Sequence, residues 1–153
     1  MAPEQQLATP QRVFFALWPD APLRMLLAGL AAEVARESGG RATAANLLHL
    51  TLAFLGDQPP ARVEALHRVG AGVRARPFAL ALDTIGGFRG TGIAWLGASA
   101  PQSELAALHA ELMAALHAWF PIWRFYSVEL NWQIRSRSIH TNGSSFLSPQ
   151  AFC

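Results

Sequence analysis

The 153-residue sequence contains a single cysteine, Cys153, and no lysine. One cysteine at the last position excludes an intramolecular disulfide and a zinc site built on cysteine side chains. No apolar run approaches the roughly 20 residues of a membrane-spanning helix. The first residues also lack the basic segment and long apolar segment of a secretory signal. These absences predict a cytoplasmic protein without a membrane segment.

Charged residues are also scarce, at 14% of the chain against 52% hydrophobic residues, and the net charge is +2. Such a composition predicts a folded chain with a sizeable core. All basic residues are arginine, the better bidentate partner for phosphate. However, the abundance of alanine, arginine, glycine and proline favours a GC-rich genome as the reason. The small charge gives no support to non-specific nucleic-acid binding.

The apolar periodicity predicts one α+β region over residues 11–119, preceded by a flexible tail of residues 1–10. Its element order is β-α-β-α-β-β-α, which favours an α+β fold or a mixed sheet with helices on one face. The elements are a strand over 12–18, a helix capped by Asp20 and stopped by Gly39-Gly40, a strand over 47–55, a helix opened by Asp57 and Pro59-Pro60, strands over 78–85 and 93–96 joined by a connector over 86–92, and a third helix with a capping box at Ser99 and Gln102.

The composition changes abruptly at about Phe120. Residues 1–119 contain 27 alanines and residues 120–153 only one, while serine rises from three to six. The segment 120–153 has no clear period and ends in a stretch rich in serine and proline. It is therefore interpreted as a divergent or aberrant C-terminal tail, either genuine or produced by a frameshift or splice.

A histidine and a threonine interrupt the apolar run LLHLTLAFLG, residues 47–56. Because successive side chains of a strand point to opposite faces, the predicted strand places His49, Thr51 and Ala53 on one face. The opposite face would carry only apolar side chains: Leu48, Leu50, Leu52 and Phe54. An imidazole beside a hydroxyl on a rigid strand could form a catalytic site. It is also how an ordinary half-exposed strand would look.

The segments RVFFAL, residues 12–17, and NLLHLTLAFLG, residues 46–56, resemble the two-histidine (2H) phosphoesterases. The most similar subgroup is the bacterial RNA 2',3'-cyclic phosphodiesterases, also called 2'-5' RNA ligases. The resemblance spans residues 11–119. It implies an α+β fold of two lobes, with antiparallel sheets and outer helices. Each lobe would supply one strand with an HXTX motif, histidine-x-threonine or serine, to a central cleft.

The resemblance also implies a reaction, in which a 2',3'-cyclic phosphate opens to a 2'-phosphate. His49 would be the general acid and Thr51 the hydroxyl that binds the phosphate. Two imidazoles with ordinary pKa values near 6.5 can exchange the two protons of this reaction at neutral pH. No cofactor or metal is implied. The partner would be RNA or an oligonucleotide with a 2',3'-cyclic phosphate end, with no membrane and no obligate protein partner.

The family's second HXTX motif, which should follow the third helix, has no match. The nearest segment is residues 138–142, where His140 and Thr141 are adjacent and would face opposite sides of a strand. The second lobe is therefore predicted to be incomplete or replaced, and the activity impaired. Two alternatives stay open: a non-catalytic remnant that binds phosphate or RNA, and a structural protein in which His49 is merely packed.

The other candidate groups are interpreted as structural. His67, His109 and His117 lie on helices without the spacing of a metal pair. The GGFRGTG connector, residues 86–92, lacks the lysine of a phosphate-binding loop, although Arg89 could contact a phosphate. Four aromatic residues could stack a base, although most should be core: Phe14, Phe15, Trp18 and Trp95. The third helix is expected to expose part of its apolar face, which predicts a marginal or oligomeric protein.

Overall fold

The computed structural model of the chain describes residues 9–88, 93–120 and 148–152. The expected order of strands and helices is confirmed over residues 11–119, and one further strand lies in the tail. The elements are β1 (Gln11–Leu17), α1 (Ala21–Ser38), a 3₁₀ turn (Ala45–Leu47), β2 (Leu50–Gln58), α2 (Pro60–Gly72), β3 (Thr84–Phe88), β4 (Ile93–Gly97), α3 (Ser103–Trp119) and β5 (Ser148–Phe152).

The limits of α1 follow from its sequence. The Asp20 carboxylate accepts a hydrogen bond from the Leu23 amide at 2.9 Å, which satisfies one of the free N–H groups in the first turn. At the other end Gly39 adopts a φ of 68°, a left-handed conformation that glycine reaches without a steric penalty. Both predicted limits of this helix are therefore confirmed.

The strands form two antiparallel sheets. β1 is central in a three-stranded sheet of order β2-β1-β5, and β3 pairs with β4. The edge strand β5 contains Pro149, which lies opposite Phe15 of β1; an edge strand tolerates a residue without an amide hydrogen. The apolar periodicity did not predict β5, and the domain limits at residues 10 and 119 stay predictions.

The predicted strand over 78–85 is wrong at its start, since β3 begins at Thr84. Leu80 and Leu82 are buried, so the apolar run is a buried irregular segment. The predicted capping box is also wrong. Ser99 donates hydrogen bonds from its amide and hydroxyl to the Asp83 carboxylate, each at 2.6 Å, and α3 begins only at Ser103.

The core joins the three helices to the strands. α3 contributes four leucines that are at most 5% exposed: Leu105, Leu108, Leu112 and Leu116. Because α2 packs against this helix, the expected exposure of part of its apolar face is confirmed only at its end, at Trp119. Only the last residue of α3, Trp119, is an exposed large apolar side chain of that helix, at 57%.

Candidate active site

His49 lies immediately before β2, between the 3₁₀ turn and the first strand residue. The predicted strand over 47–55 thus begins three residues later than expected. The expected alternation still holds around the histidine. Leu48, Leu50 and Leu52 are at most 2% exposed, whereas His49 and Thr51 are only partly buried. His49 and Thr51 therefore share the less buried face.

The expected alternation fails beyond Leu52. Ala53, predicted to share the face of His49, is completely buried, and Phe54, predicted to be in the core, is only partly buried. The cause is an irregular pairing with β1, which skips Leu52 and again Leu55. An extra residue in one strand re-aims the side chains that follow it, so the pattern of apolar residues changes face.

Three groups surround the imidazole of His49. Its Nδ1 lies 2.6 Å from the carbonyl oxygen of Leu47. The Phe14 ring stacks on it with centroids 4.7 Å apart and planes at 25°, and the Trp18 ring lies at 4.9 Å and 33°. The Leu47 carbonyl group, the Phe14 ring of β1 and the Trp18 ring directly after β1 therefore surround the His49 side chain.

The hydrogen bond to Leu47 decides the tautomer of His49. Because a carbonyl oxygen only accepts, Nδ1 must carry a proton, and the neutral ring has its free lone pair on Nε2. Burial lowers the pKa of His49 below its ordinary value of 6.5, and the Leu47 hydrogen bond opposes that shift. The site thus holds a neutral imidazole at pH 7 with Nε2 able to exchange a proton.

Thr51 is a residue of β2 opposite Ala16 of β1. No hydrogen bond joins its hydroxyl to another residue in the described part of the chain. Since a hydroxyl is both a donor and an acceptor, it can donate to an oxygen of a bound anion. Its place on the sheet, two residues from His49, puts a hydroxyl donor near the imidazole.

The other candidates lie elsewhere. His67 and His117 are exposed on α2 and α3, and His109 has a buried Nε2 without a hydrogen-bond partner among the described residues. Over ranges 9–88, 93–120 and 148–152, no group of three histidine, cysteine, aspartate or glutamate side chains could hold a metal ion. Arg89 lies outside the described residues, as do His140 and Thr141 of the segment nearest to a second motif.

The contact of Phe14 and Trp18 with His49 was missed from the sequence. The sequence indicates for both only an aromatic group that could stack a base or lie in the core. Phe15 is completely buried, and Trp95 lies opposite Gly86 in the β3–β4 pair. The signal was the spacing of Phe14 and Trp18, four residues apart with the small Ala16 between them, which leaves room for a ring from the paired strand.

Comparison with known proteins identifies relatives of this chain. The family model described as LigT like Phosphoesterase matches residues 17–95. Over 102 residues, or 67% of the chain, the sequence is 35% identical to the RNA 2',3'-cyclic phosphodiesterase of Escherichia coli (strain K12). The chain spans 58% of the length of that relative.

Solved structures give the same result. E. coli LigT complexed with 3'-AMP matches with a TM-score of 0.68 at 27% identity, over 93% of this chain and 83% of that one. E. coli LigT complexed with phosphate matches with a TM-score of 0.64 at 28% identity, over 94% and 83%. In the described part of this chain, no helix has the length and apolar character needed to cross a membrane. The chain belongs to the LigT-like phosphoesterase family.

Proposed function

We propose that the chain is an RNA 2',3'-cyclic phosphodiesterase of low activity, acting through His49 and Thr51. The observation that carries this proposal is the imidazole of His49, which is hydrogen-bonded to Leu47 and packed against two aromatic rings and shares one face of the β2 segment with Thr51. The similarity to an E. coli RNA 2',3'-cyclic phosphodiesterase supports the reaction. The E. coli LigT structures with 3'-AMP and phosphate support the class of ligand.

In the proposed reaction water attacks phosphorus, and the bond from phosphorus to the ribose 3' oxygen breaks. The water gives up a proton, the 3' oxygen gains one, and the phosphate remains on the 2' oxygen. His49, when protonated on Nε2, donates the proton to the departing oxygen. The Thr51 hydroxyl donates a hydrogen bond to a phosphoryl oxygen, where negative charge must be stabilised.

The lowered pKa of His49 determines how this role depends on pH. A general acid must be protonated, and burial disfavours the imidazolium form. The negative phosphate of a bound substrate favours that form again. For a general acid, kcat/KM should fall as pH rises above the pKa of His49 in the free protein, which lies below 6.5. A general base would give the opposite slope.

We propose a low activity because the sequence contains no match to the family's second HXTX motif. One positioned proton-transfer group is worth typically 10²–10⁴-fold in rate, so a site with His49 alone would lack that factor. The proposed partner is an RNA or oligonucleotide end that carries a 2',3'-cyclic phosphate. A cytoplasmic location remains a prediction from the sequence.

The test is hydrolysis of an oligonucleotide with a 2',3'-cyclic phosphate end, in the presence of a chelator. We expect weak turnover that does not require a metal and that falls at least about 10²-fold in His49→Ala. His67→Ala, which removes an exposed histidine of α2, is the matched control and should equal the parent. Equal turnover of the parent and His49→Ala would contradict the proposal.

Two further outcomes separate the alternatives. Loss of turnover in His140→Ala as well as His49→Ala would make His140 the second catalytic histidine. The other outcome is a parent that shows no turnover but still binds 3'-AMP, with weaker binding in Thr51→Val. That result would favour the non-catalytic, phosphate-binding remnant over the enzyme.

A further inference from the structure

We propose that Phe14 and Trp18 are positioning residues, which hold the His49 ring in one orientation and expose Nε2 for proton transfer. The catalytic consequence rests on the proposed function, whereas the structural consequence does not. Neither aromatic residue needs to contact the substrate in this arrangement.

The spacing along β1 supports this assignment. Positions four apart in an extended chain are about 13 Å apart and face the same side of the sheet. The His49 ring lies between them, with centroids 4.7 Å from Phe14 and 4.9 Å from Trp18. Ala16, the residue between, offers only a methyl group and pairs with Thr51. The small side chain at position 16 therefore leaves this face open to a ring from the paired strand.

The Leu47 carbonyl completes the arrangement. A hydrogen bond alone would fix Nδ1, but the ring could still tilt about it. The two aromatic contacts restrict this tilt and remove water from the ring. Burial of the ring disfavours its imidazolium form, and both aromatic rings pack against it. An imidazole held in this way presents the same nitrogen in every molecule, which is what proton transfer over a hydrogen-bond distance requires.

Trp18 contributes through its ring rather than through its N–H group. The indole Nε1 is buried and has no hydrogen-bond partner among the described residues. Replacing Trp18 by phenylalanine therefore keeps an aromatic contact and removes no described hydrogen bond. Trp18→Phe is thus the conservative control for Trp18→Leu, which removes the aromatic ring.

The experiment is a ¹H–¹⁵N NMR titration of the His49 ring, which reports the tautomer and the pKa without any turnover. In the parent we expect the Nδ1–H tautomer and a pKa below 6.5. In Trp18→Leu and Phe14→Leu the pKa should move toward 6.5, and the Nε2–H tautomer should appear. Trp18→Phe should stay near the parent. An unchanged tautomer and pKa in both leucine variants would overturn the proposal.

Turnover gives a second measurement. A displacement of a catalytic group by about 1 Å can lower the reaction rate about 10²-fold. Trp18→Leu should therefore lower kcat by about 10-fold or more and change KM less. If the parent has no turnover, the proposed function fails, but the NMR result still decides the positioning role. An increase in KM with an unchanged kcat would instead make Trp18 a substrate contact and contradict the proposal.

Tryptophan fluorescence covers the case in which a leucine variant does not fold. An imidazolium quenches a tryptophan that it contacts, so the parent's fluorescence should decrease as pH falls through the His49 pKa. This step should vanish in His49→Gln and in Trp18→Phe. A parent titration without the step would show that Trp18 does not contact the ring, and would overturn the proposal.

Discussion

Two tryptophans in this protein lie beside antiparallel strand pairs, but they contact different partners. Trp18, at the end of β1, contacts the imidazole of His49. Trp95, on β4, lies over Gly86 of β3, where an added Cβ would overlap its ring. In the first region an aromatic ring orders a polar group, and in the second it fills the space that a missing side chain leaves.

The difference shows how the same residue type can support chemistry or packing. The imidazole beside Trp18 is partly removed from water, and burial lowers its pKa, which costs free energy whenever the ring is charged. The Trp95 ring beside Gly86 is uncharged, so its burial has no such cost in free energy. A region that stores an unfavourable charge state is expected at a functional site rather than in a purely structural hairpin.

The largest stability effect should come from breaking the Trp95 contact. Gly86→Ala places a methyl group within the indole ring, and overpacking of this kind costs typically about 1–3 kcal/mol. We expect a lower free energy of unfolding by that amount in urea denaturation.

Gly29→Ala is the matched control, because the space around this α1 position is open. It should stabilise the protein by up to about 1 kcal/mol, since alanine favours a helix over glycine. A Gly86→Ala protein as stable as Gly29→Ala would contradict the packing of Trp95 on Gly86.

A smaller change in the free energy of unfolding should come from His49, beside Trp18, as the pH changes. The pKa of His49 is lowered in the folded protein, so the unfolded chain takes up a proton at a higher pH than the folded one. The free energy of unfolding should therefore decrease as pH falls from about 6.5 to the folded pKa. Denaturation curves measured from pH 7.5 to 5 should show this decrease in the parent and not in His49→Gln. The same dependence of the free energy of unfolding on pH in both proteins would contradict the prediction.

The smallest change in stability should come from Asp83, beside β3 and β4, at more acidic pH. Hydrogen bonds from the hydroxyl and amide of Ser99 lower the pKa of Asp83 below 3.8. A lowered carboxyl pKa contributes stability above 3.8 that is lost as pH falls through the folded value. Ser99→Ala should raise the Asp83 pKa toward 3.8 in an NMR titration, while Ser103→Ala, at the next described serine, should leave it unchanged.

Some of the fold could be predicted because local chemistry decides it. Asp20 caps α1 and Gly39 ends it, since both act on the backbone within a few residues. The shared face of His49 and Thr51 was predicted for the same reason, as alternation needs only an extended chain. The capping box at Ser99 failed because a distant partner, Asp83, formed the stronger hydrogen bonds.

The β2 face beyond Leu52 could not be predicted, since it depends on the register with β1. The pairing skips Leu52 and Leu55, and nothing in the local pattern of β2 specifies where a partner strand accommodates an extra residue. β5 was missed because its pairing with β1 joins positions more than 130 residues apart, such as Ala16 and Ser148.

The sequence by itself determined the order of strands and helices over residues 11–119 and the family resemblance, and it made His49 and Thr51 the candidate site residues. These follow from periodicity, caps and a short motif, all of which are local along the chain. Only the tertiary structure decided the burial that lowers the pKa of His49. Its aromatic neighbours are Phe14, in β1, and Trp18, directly after β1, and burial depends on which surfaces folding brings together.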